Sequence, residues 1–565
     1  MPLIKFKKGG INMLALIAFI PILIVGILMV AFDWPSTKAM PVGFVAALVI
    51  AAFFWDMPIK WILAATIAGG IDAIDILFIV FGALVILVTM KKSGGIDGIS
   101  HSMAYVSTDR RVQLVLIGFL MGAFFEGAAG FGTPAAVAAP LLVGMGFPPL
   151  VAAVATLVGN SAPVSFGAVG TPILGGFANL QNLVEAQGYN NSFYEFLSEV
   201  GGFTALLHFL VGSFVPLIMV CSMTLIVDKS IRKGLAVWKL CLFGGLVFTI
   251  PEVLIANLVG PELPSLLGSL IAIPIFIFAV RRNYLLPKDK WDFKSRDEWK
   301  DDWEGEIKAG TSENAATTEV MSAKKAWAPY VLIGILLLLS RLKWLPFKDL
   351  LNSWSISWNN ILGTSISNGI TPLYNPGIFP FIFVALLIPF MHGLNREEVK
   401  KIWKDTFKQI GPTAVALFFA LGMTYIMINS GGAAGNDSML IVIAKTLSSI
   451  VGKGWYIFAP VIGILGAFIS GSATVSDVMF GPLQFDAALH AGIPVVPILS
   501  LQAVGGAAGN MICVHNVVAV LTTVGLVGKE GKVIKNNVPI SLGYGIVAGV
   551  LTIILTYLFN YGFSF

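Results

Sequence analysis

The sequence predicts an all-α polytopic membrane protein. It is expected to contain two inverted repeats, about 12 transmembrane helices and two re-entrant hairpins with broken helices. Three observations lead there. Of 565 residues, 56% are hydrophobic and only 12% charged, with a mean hydropathy of +0.85, whereas soluble domains carry about 25% charge. Two glycine-broken stretches lie roughly 345 residues apart and are faint copies of each other, the sequence pointer to a secondary transporter's binding site. The first is Gly122-Ala-Phe-Phe-Glu-Gly-Ala-Ala-Gly-Phe-Gly-Thr-Pro134 and the second Gly466-Ala-Phe-Ile-Ser-Gly-Ser-Ala-Thr-Val-Ser-Asp477. Finally, the basic residues cluster in loops that one topology places on one side of the membrane.

Taken in order, residues 1–56 read as N-terminal transmembrane helices, the first running from Ile11 to Phe32 behind a basic stub. A first repeat occupies 57–227, with crossings near 73–90, 148–170 and 203–227. Connecting helices fill 228–282, with crossings at 236–258 and 262–281. The stretch 283–326 is charged and poor in apolar residues, and reads as a solvated cytoplasmic linker. Further connecting helices fill 327–393, and 394–565 forms a second repeat with crossings near 408–429, 493–525 and 538–560. Between crossings lie paired apolar segments, 112–126 with 133–146 and 455–470 with 476–490. Each is about 14 residues, or ~20 Å of helix, too short for a hydrocarbon layer of ~30 Å. Their tips, 126–133 and 470–476, are small and polar, as re-entrant turns require. Matching positions recur downstream, where Val158-Gly-Asn-Ser-Ala162 answers Val504-Gly-Gly-Ala-Ala508.

If 91–111 is cytoplasmic, then so are 228–239, 281–325, 395–408 and 529–535, which together hold most of the 36 Lys and Arg. That distribution obeys the positive-inside rule. It also makes the helix at 73–90 run opposite to its partner at 408–429, the basis for reading the repeats as inverted. The basic excess therefore says nothing of nucleic acid. Cys221, Cys241 and Cys513 have neither metal nor redox spacing. No nucleophile–base pair, His-rich motif or phosphate loop stands out, so neither an enzyme nor a cofactor is expected.

No Lys or Arg falls inside a core segment away from its ends, so an anion has no basic clamp. Broken helices supply the alternative, since their free N–H groups and dipole ends face negative charge. The candidate substrate-binding residues are Gly130, Gly132, Thr133, Asn160 and Ser161 in the first half. Ser472, Thr474, Ser476, Gly505, Gly506 and Asn510 are their counterparts in the second. An ionisable residue in the core costs about 2.5–3.5 kcal/mol, so Glu126, Asp477 and His515 are the candidate proton carriers. Asp72 and Asp75 read as interfacial, and His208 as structural.

The stretch Leu116-Ile-Gly-Phe-Leu-Met-Gly-Ala-Phe-Phe-Glu-Gly-Ala-Ala-Gly-Phe-Gly-Thr-Pro134 resembles the signature of the bacterial L-lactate permease family. So do Asn160-Ser-Ala-Pro-Val-Ser-Phe-Gly-Ala-Val-Gly-Thr-Pro172, Gly260-Pro-Glu-Leu-Pro264 and Gly525-Leu-Val-Gly-Lys-Glu530. The resemblance runs from about residue 60 to the C-terminus. It implies a proton-coupled carrier of lactate or related 2-hydroxy acids such as glycolate in the bacterial cytoplasmic membrane. The second half departs from the pattern. Gly471-Ser-Ala-Thr474 stands where the family has Gly-Ser-Asp-Thr, and Gly509-Asn-Met-Ile-Cys-Val-His515 where it has Gly-Lys-Met-Ile-Ser-Pro-Gln. One acid and one base are lost together, as a removed ion pair would be. The expected function is import of a small monocarboxylate by proton symport with alternating access. The expected partners are that organic anion, a proton and the lipid bilayer. The rivals are a sodium-coupled carrier of another organic anion and a passive anion facilitator or channel.

Overall fold

The computed structural model describes residues 13–559 apart from 31, 33, 105, 131–132, 190, 288, 301, 305–320, 342–344, 433–434 and 527. It is helical nearly throughout. Among the described residues only two short strands occur, Ile356–Trp358 and Asn368–Ile370, paired antiparallel in the segment before residue 377.

Helices α1 (Met13–Val30) and α2 (Ser36–Phe54) lead into α3 (Ile59–Lys92) and a short α4 (Gly95–Ala104). Then comes the first hairpin, α5 (Arg110–Ala129) with α6 (Thr133–Gly144). A broken segment follows: α7 (Pro149–Gly159), a 3-10 turn at Ala162–Phe166, and α8 (Gly167–Leu174). The axis bends by 52° at this break. Helices α9 (Phe193–Asp228), α10 (Trp238–Leu258), α11 (Pro264–Arg281), α12 (Ala323–Arg341) and α13 (Gly377–His392) connect to the second half. There α14 (Arg396–Asn429) and α15 (Met439–Val451) precede the second hairpin, α16 (Trp455–Ser470) with α17 (Ala473–Ala491). The break between α18 (Val495–Gly509) and α19 (Val514–Thr523) leads to the last helix, α20 (Glu530–Phe559). Among the described residues, eleven helices are long and apolar enough to cross a membrane, or up to 12 counting the bent pair.

The order long helix, hairpin, broken helix thus occurs twice. The two long helices, α3 and α14, have 34 residues each and exceed the crossings expected at 73–90 and 408–429. Their polar ends look like boundaries in the sequence, yet the helices continue. Asp72 is buried and accepts hydrogen bonds from Asn368 (2.7 Å) and Tyr425 (2.6 Å), while Asp75 accepts from Asn375 (2.9 Å). These partners let two carboxyls stay within one helix. Helix α15 matches none of the expected crossings. At 13 residues it spans about 20 Å, and its start is marked by Ser438, which caps the Ile441 N–H.

Lipid-facing and buried helices differ sharply. In α5 the whole apolar window is buried inside the protein, against 33% in α2 and α20. Irregular backbone at membrane depth needs such shielding. Close approach depends on small residues: a Cβ on Gly505 would lie 2.1 Å from the Pro460 carbonyl, and one on Gly69 2.9 Å from the Gly422 nitrogen. That is the usual way helices pack where lipid offers no hydrophobic drive.

The described part of the 283–326 linker is docked rather than free. Trp291 and Trp303 are buried beneath the hairpin mouth. Arg110, at the start of α5, pairs with Asp292 at 2.8 Å and lies over the rings of Phe147 and Phe293. Arg111 is buried with Asp109 in a bidentate pair (3.1 and 2.8 Å) and also donates to the Asp289 carbonyl. Asp302 pairs with Lys532 at the start of α20. That ammonium holds the Asp302 carboxyl below its usual range.

Candidate functional site

Both hairpin tips end in left-handed glycines. Gly130 (φ +62°) ends α5 and Gly471 (φ +80°) ends α16; neither turn suits a residue with a Cβ. Beside the first tip, Glu126 accepts a hydrogen bond at 2.9 Å on Oε2 from Asn160, the residue where α7 breaks. Its other oxygen, Oε1, faces Gly167, where a Cβ would come within 2.2 Å. Glycine is therefore required at 167 if Glu126 is to keep its place. The chain then takes three left-handed residues in a row, Ala168, Val169 and Gly170 (φ 41°, 59° and 75°). Two of them carry side chains, a conformation that costs of order 1–3 kcal/mol each and clusters at functional sites.

Between the tips lies a cavity of about 30 Å³ lined by Glu126, Gly130, Gly167, Ala168 and Thr171 from the first half. Gly471, Ser472, Ala473, Thr474 and Asn510 close it from the second. Among the described residues no Lys or Arg lines it. The volume is that of about one water, so the tips must part to admit an organic acid. A larger cavity of about 420 Å³ lies at the end of α8 and beside the middle of α3, lined among others by Asp72, Asp75, Leu174, Gly175, Glu262 and Lys348.

Five of the sequence-derived candidates thus line one cavity: Glu126, Gly130, Ser472, Thr474 and Asn510. Asn160 stands behind Glu126 as its hydrogen-bond donor. Ser161 is buried and donates to the Val158 carbonyl. Gly132 lies outside the described residues, and Thr133 begins α6. Ser476 ties helices together, donating to the Gly463 carbonyl (2.9 Å) and accepting from Gln502 (3.0 Å). Gly505 and Gly506 lie at helix contacts, the latter beside Asp477 and Ala473. Asp477 is buried off the cavity, accepting at 3.2 Å from Gln502, which accepts in turn from Gln484. His515 is exposed next to Gly471.

Each hairpin therefore pairs a carboxyl with a side-chain amide of the following helix: Glu126 with Asn160, Asp477 with Gln502. The second pairing has no counterpart in the sequence pattern because Gln502 sits one helical turn before the glycine break, in an apolar run that gives no signal. The same holds for Asn516, whose amide donates to the Asn510 side chain and aims it. Glu252 and His208 are buried polar groups away from the cavity, and no local pattern singles them out.

The profile described as L-lactate permease matches residues 14–559. A putative L-lactate permease of Haemophilus influenzae is 33% identical, over 96% of this chain and 99% of its own. An L-lactate permease of Bacillus subtilis is 28% identical, over 98% of both chains. The glycolate permease GlcA of Escherichia coli is 27% identical, over 98% of this chain and 97% of its own.

Proposed function

Since this chain belongs to the L-lactate permease family and is a multi-pass transporter of the bacterial inner membrane, we propose that it imports a small 2-hydroxymonocarboxylate, lactate or glycolate, by proton symport. The two halves act as inverted repeats that expose the site to each side in turn. The relatives are named for lactate and glycolate, and the cavity's chemistry suits such an anion. Backbone at the tips and the Ser472, Thr474 and Asn510 side chains offer donors to a carboxylate and a hydroxyl.

One observation carries the proton. Glu126 is the sole ionisable group on the cavity among the described residues, and no cation faces it there. An anionic carboxylate entering beside an ionised Glu126 would meet like charge in a poorly screened site. A proton on Glu126 removes that repulsion, so cargo and proton belong together. Asn160 holds the Oε2 side, leaving Oε1 toward the cavity for the shared proton. Asp477 and His515 take lesser parts in this reading, since neither lines the cavity. Ala473 and Asn510 do line it together, which supports an ion pair replaced by two neutral side chains. The test is uptake of labelled L-lactate and glycolate into proteoliposomes under an inward proton gradient, with sodium replaced by choline. Accumulation that an uncoupler collapses supports symport, and accumulation that requires sodium refutes it.

A further inference from the structure

The donors of the small cavity depend on a residue that does not line it. Asn510 directly follows α18, and its backbone is held on every side. Its N–H donates to the Ala507 carbonyl at 3.2 Å. Two buried side chains of α20 hold its neighbours, Ser541 donating to the Ala508 carbonyl at 2.7 Å and Asn537 to the Met511 carbonyl at 3.1 Å. With the backbone fixed, the remaining choice is which end of the Asn510 amide points where. A half-turn of that amide exchanges an acceptor oxygen for a nitrogen with two donors.

Asn516, buried in the first turn of α19, settles the choice. Its amide nitrogen donates to Asn510 Oδ1. With the oxygen taken, Asn510 Nδ2 is the free end, and among the described residues no hydrogen bond uses it. Asn510 lines the cavity and Asn516 does not, so the cavity is left with the donors. Beside Asn510 in the lining are Ala473 and Thr474, whose N–H groups open α17 and have no intrahelical partner. Ser472 Oγ is turned instead to the Val475 N–H at 3.3 Å. The second half therefore offers donors without a cation. An Asn510 turned the other way would set a carbonyl oxygen among them, against the oxygens of an incoming carboxylate.

We propose that Asn516 is a positioning residue that makes the site select a carboxylate. By occupying Asn510 Oδ1 it keeps Asn510 Nδ2 toward the cavity, and the acid group of the cargo lies against the second half. The proposal rests on the reading of this cavity as the cargo site. Lactamide is the chemical contrast, since it has an NH2 group where lactate has its second carboxylate oxygen. A fixed donor at 510 favours the oxygen, whereas an amide free to turn serves either.

The test measures counterflow of labelled L-lactate in proteoliposomes, reading KM apart from the maximal rate, with lactamide as competitor. Asn516→Leu removes the donor at similar volume, and Asn516→Ala removes it by truncation should the leucine not fit. In each, KM for lactate is expected to rise about fivefold with the maximal rate within about twofold. The preference for lactate over lactamide should fall by a similar factor. Asn510→Ala has no amide to turn, so its KM should rise, and adding Asn516→Leu should raise it by less than about twofold more. A wild-type KM in the Asn516 variants overturns the proposal. So does an equal weakening of lactate and lactamide, or a fivefold loss from Asn516→Leu that persists in Asn510→Ala, since either marks a packing role. A wild-type KM in Asn510→Ala overturns the cargo site itself and takes the proposal with it.

Discussion

Glu126 concentrates the chemistry of the cavity in one side chain, so its removal is the most direct experiment. Glu126→Gln keeps the shape and the Asn160 contact but not the proton. Uphill accumulation should vanish while counterflow persists in part, and unchanged uphill uptake would end the assignment. Gly167→Ala probes the same oxygen from the other side, because its methyl would lie 2.2 Å from Oε1. Overpacking of this kind costs about 1–3 kcal/mol and should lower transport by displacing Glu126 even where the protein still folds. Ala473 and Asn510 form a third probe. If they replace an ion pair, then Ala473→Asp and Asn510→Lys alone each strand a charge and weaken transport. The double substitution should restore it, with a coupling of about 0.5–3 kcal/mol in a cycle of uptake rates. Additive losses would mean that the positions do not meet. The residues of the first tip were legible from sequence because an acid among glycines has no packing excuse. Gln502, Asn516 and His208 were not, because amides and a lone imidazole in apolar helices acquire meaning only from partners 25, 6 and 336 residues away.

Among the elements, the linker shows how a charged segment becomes structure. Its composition is that of a solvated chain, yet Trp291 and Trp303 give it two apolar anchors and Asp292 and Asp302 meet cations at helix starts. Breaking the Arg111–Asp109 pair by Arg111→Ala leaves the buried Asp109 carboxylate with the Arg111 and Trp291 N–H donors but no cation and should destabilise the hairpin mouth by about 3 kcal/mol, read as a lower melting temperature in detergent. The Asp302–Lys532 tie is pH-dependent in a definite sense. Its carboxyl is held below the ordinary value of 3.8; the contribution is thus complete above that pH and is lost as pH falls through the depressed value. Hydrogen exchange across 529–535 should accelerate only below about pH 4 in wild type, and Lys532→Ala should abolish that acid step. The hairpins were visible as elements from their glycine-broken tips, although α5 with 20 residues and α17 with 19 run past the roughly 14 expected of each half and are not too short to span. The lengths of α3 and α14 were not: Asp72 and Asp75 mark a helix end when exposed but sit mid-helix when Asn368, Tyr425 and Asn375 satisfy them, and the charged run 396–408 carries α14 back to its Asn395 cap.

At the scale of the whole molecule, the class of protein is set by composition, and the doubled order of elements by the glycine-broken copies. What no linear reading supplies is how the halves close on each other. Ser165 against Ala503 and Asn179 against the Val478 carbonyl (2.9 Å) join residues some 300 or more positions apart, and such contacts come only from packing. The small cavity of about 30 Å³ has a consequence for the energetics of passage. Parting the two tips breaks contacts between them, so a molecule that crosses at this point must offset that cost through bonds it makes only with the parted form; one too poor in hydrogen-bond acceptors to do so leaves the tips together.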